Sequence, residues 1–283
     1  MTAIIIFSNE KNILRKFISK NNFYMTPIAS KDELLSAISK KEKEDGGTFS
    51  VYIYDINKKN GFGIDENTVM TAASVNKVAI LAALYQLAGQ GEIDLDKVII
   101  LQPDDIQDYG SGSMRYATPG TPYSLKTLAR LMMEQSDNTA AYILANLVLT
   151  QDKIQSLVDS WGLHQTNMID NQTSVKDMSI LLTKMYKGEI TTKPLTAEML
   201  GFMDKSDFDD RIPEGIPENS GIKIYHKTGD DVGKIHDVGI IDLPERPYYL
   251  GIMTTDTTDV EKTKKTMVNI SGLVYNYMKN SQN

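Results

Sequence analysis

Thr71-Ala72-Ala73-Ser74-Val75-Asn76-Lys77 runs without a break into Val78-Ala79-Ile80-Leu81-Ala82-Ala83-Leu84. A turn of small residues followed by an apolar run predicts a buried helix whose first turn carries Ser74 and Lys77, i and i+3, on one face. An amine can then reach a hydroxyl. A serine hydroxyl is a poor nucleophile at its own pKa and needs a base beside it, and a lysine desolvated at a buried helix start can be that base. The helix N-terminus adds backbone N–H groups and positive potential that would stabilise an oxyanion beside Ser74. Alone the pattern also fits a helix N-cap with a solvent-facing lysine. Ser8-Asn9-Glu10-Lys11 repeats it in a polar setting that recommends nothing.

Two further clusters follow in the order such chemistry needs. Ser136-Asp137-Asn138 comes after the amphipathic run from Leu125 to Met133, so it belongs at a helix end or a helix-to-helix turn. Lys227-Thr228-Gly229 ends the alternating, strand-like stretch Ile222-Lys223-Ile224-Tyr225-His226. Either could be ordinary capping or strand-end chemistry when taken singly.

Together, Ser-x-x-Lys, Ser-Asp-Asn and Lys-Thr-Gly resemble the motif set of the class A β-lactamases and penicillin-binding proteins, and the resemblance runs from about Gly46 to the C-terminus. It implies that Ser74 is acylated, that Lys77 takes or relays its proton, and that Ser136 passes a proton to the leaving nitrogen. It also implies that Asn138 bonds the substrate amide, and that Lys227 and Thr228 meet a substrate carboxylate. The oxyanion hole would be the backbone N–H groups of Ser74 and of Asp230, the residue after Gly229. Asp137 reads as a structural acceptor of backbone N–H bonds. Arg211, in Asp210-Arg211-Ile212-Pro213-Glu214-Gly215-Ile216-Pro217, resembles an arginine that some class A enzymes carry to bind the substrate carboxylate. A guanidinium fork suits that ligand, while an ion pair with Asp209 or Asp210 is the plainer reading.

Two departures from the family pattern bear on function. Class A β-lactamases carry a Glu-x-x-Leu-Asn motif whose glutamate activates the deacylating water. The corresponding stretch here, Trp161-Gly162-Leu163-His164-Gln165-Thr166-Asn167-Met168-Ile169-Asp170-Asn171-Gln172-Thr173-Ser174, is short and has Asp170 as its one carboxylate. A positioned general base contributes about 10² to 10⁴-fold, so its loss should leave acylation intact and slow hydrolysis by that order. Asp170 could substitute, although it is one methylene shorter. The second departure is Asp230-Asp231 directly after Gly229, where inward-pointing charges would weaken binding of an anionic ligand.

The leading expectation is therefore a serine hydrolase that forms an acyl-enzyme with β-lactams or peptidoglycan-like amides and frees itself slowly. The alternatives are a D-alanyl-D-alanine carboxypeptidase of the penicillin-binding kind, and a non-catalytic cell-wall-binding protein that keeps the fold. An intact proton-transfer set argues against the last.

Composition is ordinary for a soluble globular protein. The 283 residues are 41% hydrophobic and 24% charged, which excludes disorder and a collagen-like fibre. A net charge of −7 argues against a nucleic-acid or membrane-surface partner. There are no cysteines, and His164, His226 and His236 lack metal-ligand spacing, so neither a disulfide nor a metal site is expected and no cofactor is implied. His226 and His236 flank the strand pair and read as packed or hydrogen-bonded residues, and Tyr109 as a possible pocket wall. No transmembrane span is visible, and Ala3-Ile4-Ile5-Ile6-Phe7 is too short for a signal-peptide core. The resemblance nevertheless implies an extracytoplasmic place, periplasmic, secreted or cell-surface. A small-molecule substrate and a monomer are expected.

In chain order, residues 1 to 28 carry no functional reading. Ser30-Lys31-Asp32-Glu33 fits a capping box and predicts a helix over 31–44 stopped by Gly46-Gly47. Thr48 to Ile56 alternates as a strand, and Asn57 to Gly61 turns it into a hairpin. The stretch from Gly89 to about Pro217 is mostly helical, with periodicity over 124–135, 138–149 and 174–187. Strands return over 222–228, 235–243 and 248–254, and a last helix over 258–279 places Val260, Met267, Ile270, Val274 and Met278 on one face. The fold class is α+β: an antiparallel sheet of N- and C-terminal strands flanked by helices, with an inserted all-helical subdomain. The expected divisions are an N-terminal extension and helix at 1–45, an α/β part at 46–88 plus 218–283, and a helical part at 89–217.

Overall fold

A computed structural model describes residues 28–280. The Ala3–Phe7 run, the second Ser-x-x-Lys pattern at Ser8 to Lys11 and most of the N-terminal extension lie outside them. Helix α1 (Lys31–Asp45) opens on Ser30, whose side chain accepts from Glu33 N, and stops at Gly46 in the left-handed region. The strands are β1 (Thr48–Asp55), β2 (Asn60–Ile64), β3 (Met70–Thr71), β4 (Val98–Ile100), β5 (Pro122–Ser124), β6 (Gln172–Thr173), β7 (Ile224–Asp231), β8 (Lys234–Ile241) and β9 (Tyr248–Thr255). The remaining helices are α2 (Lys77–Gly89), α3 (Leu125–Glu134), α4 (Asn138–Tyr142), α5 (Gln151–Ser160), α6 (Val175–Tyr186), α7 (Lys193–Met203) and α8 (Val260–Asn280).

The main sheet is antiparallel throughout, in the order β2-β1-β9-β8-β7. Residues alternate across it, so each strand feeds two cores. Val51, Ile53, Leu250 and Ile252 face one side, against Leu34 and Ile38 of α1 and Met267, Ile270, Val274 and Met278 of α8. Tyr52, Val238, Ile240, Tyr249 and Met253 face the other, against α2 and the helices of the middle segment. That two-sided burial is why β1 is apolar on both faces. Val260, expected on the buried face of the last helix, is 46% exposed at its first residue, where the helix has not yet reached the sheet.

Helix α2 is the axis of the second core. It is buried from Lys77 to Tyr85, which is the packing an all-round apolar helix demands. It does not begin at Ser74: residues Ala73–Asn76 form a 3₁₀ turn, and the α-helix starts at Lys77. The stretch expected as one helix over 138–149 is α4 followed by a wider π-type turn over Ile143–Val148. Such wide turns keep the same hydrophobic rhythm to the eye and carry no sequence flag.

Candidate active site

Three walls meet at the 3₁₀ turn. The first is the turn itself, where Ala73 has a positive φ of 50° and Ser74 is half-buried. The second is β7, pressed against it. A Cβ added at Gly229 would lie 3.0 Å from Ala72 O and 3.2 Å from Ser74 N, so a side chain here would press the strand and the Ser74 turn apart by a few tenths of an ångström. The third is the Ser136-Asp137-Asn138 corner between α3 and α4.

That corner is held by carboxylate and backbone together. Asp137 caps α4 by accepting from Ala140 N at 2.9 Å, and its other oxygen accepts from Met114 N at 2.8 Å. It is the structural acceptor the sequence suggests. The segment 109–114 is thereby drawn over the corner: Asn138 Nδ2 donates to Tyr109 O at 3.1 Å and Ser111 Oγ to Ser136 O at 3.3 Å. Two glycines make the approach possible, since a Cβ on Gly110 would meet Asn138 Nδ2 at 2.3 Å and one on Gly112 would meet Asp137 Oδ2 at 2.2 Å. Tyr109 contributes its carbonyl to the site, while its ring is largely exposed. Ser136 itself sits at φ 54°, an uncommon conformation for a residue with a side chain.

Two buried amines converge on Ser136. Lys227 Nζ donates to Ser136 Oγ at 3.0 Å and to Thr228 O at 2.9 Å. Lys77 Nζ lies 2.6 Å from Ser136 O, 2.7 Å from Asn138 Oδ1 and 3.2 Å from Ser136 Oγ. Burial holds the Lys77 ammonium well below the usual lysine range, and repulsion from Lys227 adds to it. Burial also brings Lys227 down, to about 7, with Asp237 and Asp230 partly restoring it. Both amines lie within hydrogen-bond distance of Ser136 Oγ, so the hydroxyl links them in a continuous Lys227–Ser136–Lys77 chain. Among the described residues, Lys77 Nζ bonds Ser136 and Asn138 and makes no bond to Ser74.

The 161–174 loop meets the Ser74 turn through a neutral residue. Asn171 O accepts from Ala72 N at 2.7 Å, Asn171 Oδ1 accepts from Asn76 Nδ2 at 2.8 Å, and β3 pairs with β6 beside them. Asp170 is exposed and accepts from Asn167 Nδ2 at 2.8 Å. The loop is anchored at its far end by buried Asp177, which accepts from Gln165 N and Thr166 Oγ1. Asn76 and Asn171 carried no motif, and only their contact marks them.

The face of β7 that carries His226 and Asp230 is met by Asp209 and Arg211. His226, 2% exposed, is gripped by Asp237 at 2.9 Å and Asp209 at 3.1 Å. Burial opposes its charge, but the two carboxylates outweigh burial and raise it to about 9. His236, fully buried, is pushed the other way by burial, down to about 4. Its Nδ1 accepts from Thr254 N, so Nε2 carries the proton and donates to Thr71 O at 2.9 Å, tying β8 to the approach of the Ser74 turn. Arg211 is placed beneath Asp230: Nη2 lies 2.7 and 2.8 Å from its two oxygens, and Nη1 donates to His236 O at 2.7 Å. The expected carboxylate-binding fork thus holds a carboxylate of its own chain.

An antiparallel sheet backed by helices on both faces, with a serine turn, a Ser-Asp-Asn corner and a lysine strand meeting at its edge, is the class A β-lactamase fold. The family comparison agrees: the sequence profile of the beta-lactamase enzyme family matches residues 32–278, and the chain belongs to that family. The beta-lactamase VEB-1 of Pseudomonas aeruginosa is 21% identical over 278 residues, 89% of this chain and 92% of VEB-1. Among solved structures, a beta-lactamase from Sphaerobacter thermophilus superposes with a TM-score of 0.82 at 23% identity, over 89% of this chain and 98% of its own. An ancestral class A beta-lactamase does so at 0.80 and 20% identity, over 86% and 98%. PBP-A does so at 0.81 and 24%, over 90% and 99%, and a leucine-to-glutamate variant of PBP-A is known as its acyl-enzyme complex with penicillin G.

Proposed function

We propose that this chain is a serine hydrolase that forms an acyl-enzyme through Ser74 with β-lactams or related amides, and that water clears the acyl group slowly. The observation that carries the reading is the continuous Lys227–Ser136–Lys77 chain beside the Ser74 turn. In acylation Ser74 Oγ would bond the carbonyl carbon and pass its proton to neutral Lys77. The C–N bond would then break as Ser136 protonates the nitrogen and regains a proton from Lys77. The amides of Ser74 and Asp230 would hold the oxyanion, with Asn138 on the substrate amide and Thr228 beside it. Slow release is supported by the loop: it presents Asn171 to the turn, and its carboxylate, Asp170, points to solvent.

A second reading, a D-alanyl-D-alanine peptidase of the penicillin-binding kind, is favoured by that same neutral contact. Both share the acylation half. Intact-mass spectrometry with a penicillin separates them: an adduct on Ser74 that persists for hours fits slow release, and one that vanishes as antibiotic is consumed fits an efficient lactamase. Absence of any adduct on the wild type would sink both and leave the non-catalytic reading.

A further inference from the structure

The end of α6, the helix α7 and the start of β7 frame an open cavity of about 510 Å³, a volume typical of small-molecule sites. None of Ser74, Lys77, Ser136, Asn138 and Lys227 lines it. One wall is aromatic: Tyr186 and Tyr225 stand with ring centroids 6.2 Å apart. The Tyr186 hydroxyl donates to Asp242 at 2.6 Å, which fixes that ring in place. The rim is basic. Lys187 after α6, Lys193 at the start of α7 and Lys223 before β7 come from three elements, and none of them is ion-paired among the described residues. The acids beside them in the chain are engaged elsewhere: Glu189 by Lys184 at 3.7 Å, Glu198 by Lys126 at 3.3 Å and by Tyr85 at 2.9 Å, and Asp242 by Tyr186. No carboxylate lines the cavity, so three amines share one hollow without a counter-charge.

The hollow is open because α7 is cut back on this side. Ala197 and Gly201, i and i+4 on one helix face, both line it, and a Cβ at Gly201 would meet nothing within 4 Å. Glycine weakens a helix relative to alanine, and no packing contact demands it here. What the missing side chain does is leave room. The same helix supplies Thr196, which is 8% exposed and whose hydroxyl makes no hydrogen bond within the protein. A buried polar group without a partner is uncommon.

We propose that this cavity binds a small aromatic anion, its ring lying between the tyrosine wall and the Ala197–Gly201 face and its charged group meeting the lysine rim. The ring takes apolar and aromatic surface out of water, and the anion relieves the repulsion among Lys187, Lys193 and Lys223. The site is separate from the acyl-transfer reading, and either can fail without the other.

The test titrates 2-naphthoate into the full ¹⁵N-labelled chain, with 2-naphthalenemethanol as its uncharged counterpart, and follows amide shifts. Saturable shifts are expected at Gly188, Gly201 and Lys223. The uncharged compound is expected to bind about tenfold more weakly, the size of a partly screened charge contact. Replacing Lys193 and Lys223 together by glutamine should weaken naphthoate by about the same factor and leave naphthalenemethanol unchanged. Gly201→Leu, whose side chain enters open space, should abolish binding of both while the melting temperature holds. Shifts confined to the Ser74 cleft, a response that does not saturate, equal affinity for the two compounds, or naphthoate binding unmoved by the lysine pair or by Gly201→Leu overturns the proposal. Should Gly201→Leu unfold, the lysine pair and the uncharged compound still decide.

Discussion

Lys77 Nζ and Lys227 Nζ converge on a single oxygen, Ser136 Oγ, from 3.2 and 3.0 Å. Burial lowers both amines from the usual lysine range, Lys227 adds repulsion on Lys77, and the hydroxyl is the atom the two share. Ser136→Ala removes that shared atom. The acylation rate is expected to fall about 10² to 10⁴-fold, the worth of a positioned proton-transfer group, with Ser74 still labelled at long times. Stopped-flow or timed mass spectrometry reads it, and a loss under threefold would exclude Ser136 from the proton path.

Acylation should also fall as pH rises through the Lys227 value of about 7. The cation that donates to Ser136 is lost there, while burial already holds Lys77 well below the usual lysine range. A labelling rate that keeps climbing to pH 9 would mean that Lys227 is not needed in its charged form.

For stability the His226 site has the opposite sign to a buried lysine. Its folded value of about 9 lies above the ordinary 6.5, so its contribution is fully present below pH 6.5 and is lost as pH rises through about 9. Lys227, with a depressed folded value, changes in the other direction over part of the same range. The difference in unfolding free energy between wild type and His226→Gln isolates the histidine, and should be largest near pH 6 and shrink toward pH 9.5. A difference constant over that span would show that the ring is neutral in the fold.

Asp170→Asn is expected to leave the lifetime of the penicillin adduct unchanged within a factor of two. Its carboxylate is exposed and bonded to Asn167, outside the contact that Asn171 makes with the turn. A tenfold longer lifetime would instead identify Asp170 as the deacylating base.

Gly112→Ala should destabilise the protein by more than about 3 kcal/mol, in the range of severe steric insertions. Its φ of 108° is foreign to residues with a Cβ, and the added carbon would land 2.5 Å from Asp137 Cα. Thermal melting measures this, and a shift of only a degree or two would show that the 109–114 segment can lift off the corner cheaply.

The parts of this molecule that were legible in its sequence are those carried by periodicity or by motif. The capped helix from Lys31, the β1–β2 hairpin, the three closing strands and the last helix each announce themselves over many residues. Of the residues the three motifs picked out, the fold brings Lys77 to Ser136 and Asn138, and Lys227 to Ser136. What stayed hidden depends on contacts across the chain. The two-residue pairing of β3 with β6 has no period to detect, and the bond from Ala72 N to Asn171 O involves only backbone. Arg211 could be seen as a carboxylate ligand, yet nothing local said that the carboxylate would be Asp230, nineteen positions on.

The main sheet places β1 between β2 and β9, so an early strand is completed by one of the last. During synthesis the Ser74 turn leaves the ribosome long before β7 and β9 exist to press against it, and pairing at such separation is slow to form. A nascent chain halted before β7 would carry Ser74 with no lysine strand beside it. Any chemistry that needs both Ser74 and Lys227 thus waits for the final segments of the chain to emerge.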